Sequence, residues 1–549
     1  MACDRATWAA LLGAVTLVAS AGPACAQEMV FTVEQTGQPP APVADDAPPS
    51  ETLANGLRLY QAERHREAAV QLARVVSGQS DDATGGVHKA QFFLAKSLYH
   101  LRYYRGALSL LEEIAQAGAT HRYFEPALPW LAQLATQLPD GAGIVELVGR
   151  YPEAMVQTLD RDETREVHDH LLYLSGRHAY DQGDFDRAIA RLDGVTERSP
   201  HYGRARFLAA VTHVRQRHAQ PAIAAFREVL DAAERGTIEE ADRMRNLAWI
   251  SLARVYYTAA NRTDERGERT VDPLLLDNAV AAWDRVEPES DLWLDALFEQ
   301  AWGLYVAHEE SRAMGNLFTL HSPYFEDAYY PESFVIKAVV FFGACQTENA
   351  MAMIQQFHAR YDPVRSELDQ TLGGLEDNTA LYEFLVAVRG DASSLPPRIR
   401  GVVAEALSDR TLLRHLDYVR VLDAELSRLS REPEVFRDSA LGDRLRADVT
   451  VTRSFAIDRA GELVRGRFAR LIEELDELMT QMDLVEAEIY RVRREGLTAE
   501  ERAERERIAN AGGLEVEVDE EHQIWPFDGE YWRDELPFYR QQVSSICTR

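Results

Sequence analysis

"SGRHAYDQGDFDRAIARLDGVTERSP", Ser175–Pro200, is the stretch whose spacing decides the fold. Gly176 lets one helix approach another closely, Tyr180 fills space, and Gly183 marks a turn. Ala188, Leu192 and Val195 then recur at i, i+4 and i+7, which is the apolar face of a second helix, and Pro200 punctuates its end. The pattern returns one unit later. Ala210, Ala222, Phe226 and Val229 stand 34 residues beyond Gly176, Ala188, Leu192 and Val195.

Looser copies extend in both directions. Gly56, Ala68, Leu72 and Val75 form an early unit, and Ala95, Ala107, Leu111 and Ile114 form another with Tyr99 behind the first helix face. Ala253 and Tyr256 begin a later unit whose second helix carries Ala279, Trp283 and Val286, with the polar insertion Asn261–Pro273 between them. Ala301, Leu304, Ala313, Leu317 and Leu320 make the next, and Ala338, Phe341, Ala350, Ile354 and Phe357 the last clear one. Tyr123–Asp140 and Gly141–Ala154 read as degenerate helical segments that keep the array continuous.

Helix–turn–helix units of this length with small residues at close crossings resemble the tetratricopeptide repeat (TPR) family. The resemblance covers residues 52–365. It implies an all-α, right-handed, TPR-like helical solenoid, because no single pair can bury both apolar faces and neighbours must stack. It also implies a concave face, built from the first helix of each pair, that holds a peptide or a partner domain.

From Val464 the period changes. Val464, Phe468, Leu471, Leu475, Leu478, Met482, Val485, Ile489 and Val492 alternate steps of four and three, a coiled-coil seam. Leu412, Leu416, Val419, Leu422, Leu426 and Leu429 form a similar stripe. The expected arrangement is a long-helix coiled-coil hairpin over 401–496, with a bend in Arg431–Ser454; a dimeric coiled coil and packing against the solenoid end are the competing arrangements. Residues 366–400 read as a helical connector. Residues 497–549 read as a charged helix, started by a Thr498/Glu501 capping box, followed by an aromatic C-terminal strap.

Arg5 precedes the apolar run Trp8–Ala21, and Ala24-Cys25-Ala26 fits a small-x-small cleavage site, so residues 1–26 read as a secretory signal peptide. Retention of Cys25 as a lipid anchor is the lesser alternative. Residues 27–51 are proline-rich and polar, a disordered linker. No later segment has the roughly 18 uninterrupted apolar residues of a membrane span. The 89 acidic against 59 basic residues leave a net charge of −30, which repels phosphate backbones, and no basic stripe offsets it. Nucleic acid is therefore not an expected partner.

Chemistry is hard to find. Metalloprotease, phosphate-loop and nucleophile-elbow motifs are missing from the sequence. His168 and His170 flank Asp169 but point about 200° apart on a helix, so they do not chelate together, and no metal or other cofactor is expected. A wall-cleaving hydrolase on a helical superhelix needs a compact catalytic domain for which residues after 365 leave little room. The tail "WPFDGEYWRDELPFYR", Trp525–Arg540, carries the candidate contact residues Trp525, Phe527, Trp532, Phe538 and Tyr539, either as a strap closing the protein's own core or as a docking peptide. Cys345 and Cys547 read first as two separate free thiols, with a disulfide tying that tail to the last repeat as the possible alternative.

The arrangement as a whole, with "WPFDGEYWRDEL", broken repeats and a long helix before the tail, also resembles envelope and gliding-motility-associated TPR proteins of delta-class proteobacteria. The reading is a non-enzymatic scaffold of the cell envelope, in the periplasm or on the periplasmic face of the outer membrane, binding one or more envelope proteins as a monomer or a coiled-coil dimer. The alternatives are a self-assembling coiled-coil protein and an envelope hydrolase.

Overall fold

The close crossings foreseen in the sequence recur in three dimensions. A Cβ built on Gly56 would lie 2.9 Å from the Leu72 side chain, and one on Gly176 would lie 2.7 Å from Leu192, so each glycine admits the leucine that stands 16 residues later. The computed structural model describes residues 48–263, 269–326, 328–494, 527 and 529–547. The expected signal peptide, nearly all of the linker, the charged helix after 496 and Trp525 lie outside them.

The helical pairs are α1 (Glu51–Gln61) with α2 (His65–Val76), and α3 (Thr84–His100) with α4 (Tyr104–Ala117). The degenerate region supplies α5 (Phe124–Ala135), α6 (Ile144–Gly149) and α7 (Glu153–Gln157). Then come α8 (Arg165–Asp181) with α9 (Phe185–Asp193), α10 (Tyr202–Arg215) with α11 (Ala219–Glu234), and α12 (Ala241–Ala260) with α13 (Pro273–Trp283). The array closes with α14 (Trp293–Val306) and α15 (Glu310–Leu320), then α16 (Glu332–Gly343) and α17 (Thr347–Gly373). The last helix overruns the expected boundary at 365. The polar insertion forms an antiparallel hairpin, β1 (Asn261–Thr263) with β2 (Arg269–Val271), in register Asn261–Val271.

One backbone device closes most pairs. Glu63, Arg102, Gly183, Arg217, His308 and Cys345 all have φ between 58° and 76°, each just after the first helix of a pair. In every case the N–H of the next residue reaches back five residues, as Tyr103 N does to Leu98 O (2.9 Å) and Gln346 N to Phe341 O (2.8 Å). This is a left-handed C-terminal cap. Five of the six positions are not glycine, so each bears a modest strain, of order 1–2 kcal/mol, that helix packing must offset.

After α17 come α18 (Asn378–Gly390), α19 (Pro397–Ala406), α20 (Arg410–Ser430), the short α21 (Glu434–Arg437) and α22 (Ala440–Arg494). At 1.5 Å per residue the 55 residues of α22 span about 80 Å. Its N-terminal half runs antiparallel to α20, marked by Arg453 on Asp423 and Arg467 on Asp409 (2.8 Å). Its C-terminal half runs antiparallel to α17, through Arg365 on Asp476 (2.8 Å), His358 near Asp483 (3.6 Å) and Arg493 on Glu348 (2.8 Å). Between them α18 packs alongside, Phe384 against Phe468.

The hairpin expectation thus changes in two ways. The bend is confined to 431–439, and the seam beyond Phe468 is filled by α17 and α18 instead of the Leu412–Leu429 stripe. A heptad stripe specifies a narrow apolar face that a neighbouring helix must cover, and any suitably inclined neighbour satisfies it.

The other end of this layer returns to the first repeats. Glu425 Oε1 accepts from Arg105 N (2.8 Å) and so caps α4, whose own N-cap residue Tyr103 supplies no side-chain cap. Glu432 takes the Tyr103 hydroxyl (3.1 Å) and Arg66 Nε (2.6 Å), Phe436 stacks on Tyr103, and Arg444 pairs with Glu113 (2.6 Å). One helix therefore ties the second pair to the last. Most of the buried apolar residues of α1 to α22, with Leu536 of the tail, form one connected core, beside a small satellite of Val280, Leu304 and Ala313.

Candidate functional site

The strap is laid across α15 by local chemistry. A Cβ on Gly315 would lie 1.8 Å from Tyr539 O, so only glycine lets the tail backbone run flush with that helix. Thr319 Oγ1 donates to Leu536 O (2.5 Å), Gln541 N to Ser311 O (3.2 Å) and Tyr324 OH to Tyr531 O (3.2 Å). Further on, Gln346 Nε2 donates to Ser544 O (2.8 Å) and Ile546 N to Ala344 O (2.9 Å). Cys345 and Cys547 are joined by a disulfide, with their Cα atoms 5.2 Å apart.

Phe318 of α15 is the hub of the aromatic cluster. Tyr531 stacks on it at 5.0 Å, while Phe527 and Tyr539 meet it edge-on at 4.8 and 5.3 Å. Of the five candidate residues, Phe527 and Tyr539 thus share one cluster. Trp532 and Phe538 turn outward, 52% and 55% exposed, and Phe527 keeps 47% of its surface in solvent. The strap's buried anchor is an aliphatic residue, Leu536, 4% exposed. Sequence reading favoured the aromatic residues for their size; the 3-10 turn Arg533–Phe538 instead points Leu536 inward.

A second aromatic surface comes from the first helices of the early pairs. The Lys96 ammonium lies 4.9 to 5.0 Å from the ring centres of Trp130, Tyr60 and Phe93, and 5.5 Å from Phe92. Burial against these rings lowers the lysine's pKa. The cluster escaped sequence analysis because α1, α3 and α5 contribute its members at no fixed spacing.

Three histidine pairs meet between neighbouring units: His65 stacks on His100 at 4.4 Å and His170 on His201 at 3.9 Å, while His88 lies tilted against His121 at 3.9 Å. Burial, and then the partner ring, holds His121 down to about 4 and His170 to about 3. In the His-Asp-His motif Asp169 Oδ2 accepts from Thr196 N (3.2 Å) and Oγ1 (2.5 Å), a tie between α8 and the end of α9. Among the described residues no group of three or more His, Cys, Asp or Glu converges as metal ligands would.

A buried relay of Ser333, His321 and Lys337 also went unnoticed. Ser333 Oγ donates to Tyr330 O, which leaves His321 Nε2 to donate to that Oγ (2.7 Å) and Nδ1 to accept from Lys337 Nζ (2.9 Å). Burial brings Lys337 down to about 7, and burial followed by the Lys337 charge takes His321 to about 2. All three side chains sit inside the fold or at its margin, and the serine proton is already engaged. The relay pins the end of α15 to α16.

The layer's own docking points hold carboxyl groups that favour their protons. Burial pushes Glu425 up to about 7 against the opposing pull of the α4 amides, and its Oε2 has no hydrogen-bond partner among the described residues. Glu474 of α22 and Glu332 of α16 share a hydrogen bond; burial and then mutual repulsion raise Glu474 to about 8, and burial raises Glu332.

With this geometry in hand, residues 173–237 match the tetratricopeptide repeat family. The chain is similar to the solved structures of BtubC (BKLC) from P. vanneervenii, at 14% identity over 49% of this chain and 89% of that one, with a TM-score of 0.24. It is similar also to the apo form of RapI, at 10% identity over 69% and 98% (TM-score 0.32), and to the P58(IPK) TPR domain, at 13% over 76% and 98% (TM-score 0.18). No curated protein sequence matches it. Identities this low carry no ligand or partner across.

Proposed function

We propose that the chain is an exported, non-enzymatic protein–protein interaction scaffold of a Gram-negative cell envelope, in the periplasm or at the periplasmic face of the outer membrane. The observation that carries this reading is the unbroken stack from α1 to α17, braced end to end by α22. Such a frame holds two aromatic surfaces in fixed relation: the rings around Lys96 on the first-helix face, and the outward Phe527, Trp532 and Phe538 of the strap. Large rings that retain exposed area on a rigid support are the residues from which interface anchors are made. The concave face takes one envelope protein and the strap presents a second contact.

Self-assembly through the coiled-coil seam is the other reading. Against it stands the filling of that seam by α17, α18 and α20 of the same chain. Mass in solution separates the two: the scaffold reading expects a monomer near 61.8 kDa, less any cleaved signal, and the self-assembly reading a dimer. Affinity capture from envelope extracts tests the scaffold directly. A partner retained by the wild-type chain and depleted at least tenfold by the Trp532→Ala/Phe538→Ala double variant is expected. Recovery of the same set by a heat-unfolded control contradicts it.

A further inference from the structure

We infer that the outer face of α15 is a groove receptive to an extended peptide, kept closed by the chain's own strap, residues 529–547, with the Cys345–Cys547 disulfide as a redox latch. The face has the parts of a binding groove. Gly315 provides the flat floor on which a peptide backbone rests, and Phe318 provides a ring for aromatic side chains. Thr319 Oγ1 and Ser311 O offer a donor and an acceptor to that backbone. The occupant in the oxidised chain is the strap itself, which meets each of these groups.

Its hold without the disulfide is slight. Leu536 is its one fully buried large side chain, and two of its rings, Trp532 and Phe538, keep about half their surface in water. The remaining ties are the contacts of Tyr531 and Tyr539 with Phe318 and a few hydrogen bonds, each of small net worth. The disulfide closes a loop with a sequence separation of 202, which encloses all of α18–α22 and removes most of the freedom the tail would gain by leaving. Cys345 occupies the left-handed turn position between α16 and α17, at the edge of the stack, half-exposed, and Cys547 is exposed, so a reductant can reach the sulfurs.

The step is thiol–disulfide exchange with a dithiol. One thiolate of the dithiol attacks Cys547 Sγ, and Cys345 leaves as a thiolate and takes a proton. The second thiolate then displaces Cys547, which is protonated in turn. Two electrons and two protons pass to the protein, and the dithiol ends as a disulfide. The strap is then free to leave the α15 face.

Hydrogen exchange read by mass spectrometry on the full chain tests this, with dithiothreitol as the dithiol and a thiol count to confirm that the bond is open. Reduction should speed exchange of amides in 536–546 at least tenfold and leave α10 and α11 unchanged. Phe318→Ala, a substitution on the helix surface, should add to that acceleration in the reduced chain. Gly315→Ala should speed strap exchange even with the disulfide closed, because the added Cβ meets the Tyr539 carbonyl while alanine favours the helix. Strap amides that keep their protection after complete reduction overturn the latch, and an unchanged strap in Gly315→Ala overturns the groove.

Discussion

In α1–α17 a helix finds its partner within one or two repeats, whereas in the C-terminal layer Glu425 caps a helix that starts about 320 residues earlier in the chain. The first region is held by periodic small-residue crossings and can tolerate change unit by unit, since each pair touches only its neighbours. The second works as a single brace whose two ends must both fit. Each region also buries titratable groups that favour their neutral form, such as His121 and His170 in the stack and Glu425 and Glu474 in the brace.

The largest effect that sharpens this contrast comes from removing a buried ring in each region. Phe226→Ala in the stack and Phe468→Ala in α22 should each destabilise by about 3–5 kcal/mol in urea unfolding. Their reach should differ. Faster hydrogen exchange in Phe226→Ala should stay within α9–α13, while in Phe468→Ala it should appear at α4 and α17 together. A purely local response to Phe468→Ala would remove the reason to treat α22 as a brace.

Two glycines of the same helix give a smaller and cleaner test. A Cβ on Gly461 would lie 2.0 Å from Asn378 O, a backbone atom of α18, whereas Gly466 has nothing within 4 Å of that position. Gly461→Ala should cost about 2 kcal/mol through overpacking. Gly466→Ala should gain about 1 kcal/mol from helix propensity. Thermal melts of the two single variants should move in opposite directions, and a shared sign would mean that α18 does not sit against α22 as described.

The pH response is smaller still. A carboxyl whose folded pKa is raised, as for Glu425 to about 7, stabilises fully below its unfolded value near 4.5 and loses that contribution as pH rises through 7. A histidine whose folded pKa is lowered, as for His170 to about 3, stabilises above 6.5 and loses that contribution as pH falls toward 3. Glu425→Gln keeps an oxygen for the Arg105 amide and should recover about 1–2 kcal/mol at pH 8 relative to pH 5. His170→Asn should flatten the acid side instead. Denaturation midpoints across pH 4–9 that respond identically in both variants would contradict the division.

The legible part of the molecule follows from that same division. A glycine and the leucine it admits stand 16 residues apart within one repeat, so Gly56–Leu72 and Gly176–Leu192 could be read directly. The turns between paired helices were less legible, because Glu63, Arg102, Arg217, His308 and Cys345 adopt a left-handed backbone without being glycine; packing imposes it. The seam Val464–Val492 announced a long buried face but could not name α17 and α18 as its cover. Gly315, which decides where the strap lies, looks in sequence like an ordinary helical glycine, since the carbonyl it accommodates arrives from residue 539.

The bracing of the stack by α22 can be tested at both ends in one experiment. Two exposed ion pairs mark those ends, Arg444–Glu113 and Arg365–Asp476, and cysteines replacing each pair should disturb little. Treatment of the dilute protein with a short bismaleimide, followed by peptide mapping, should find 113 linked to 444 and 365 linked to 476 within a single monomeric chain. Links that join two chains, or a link that forms at one end only, would contradict the account.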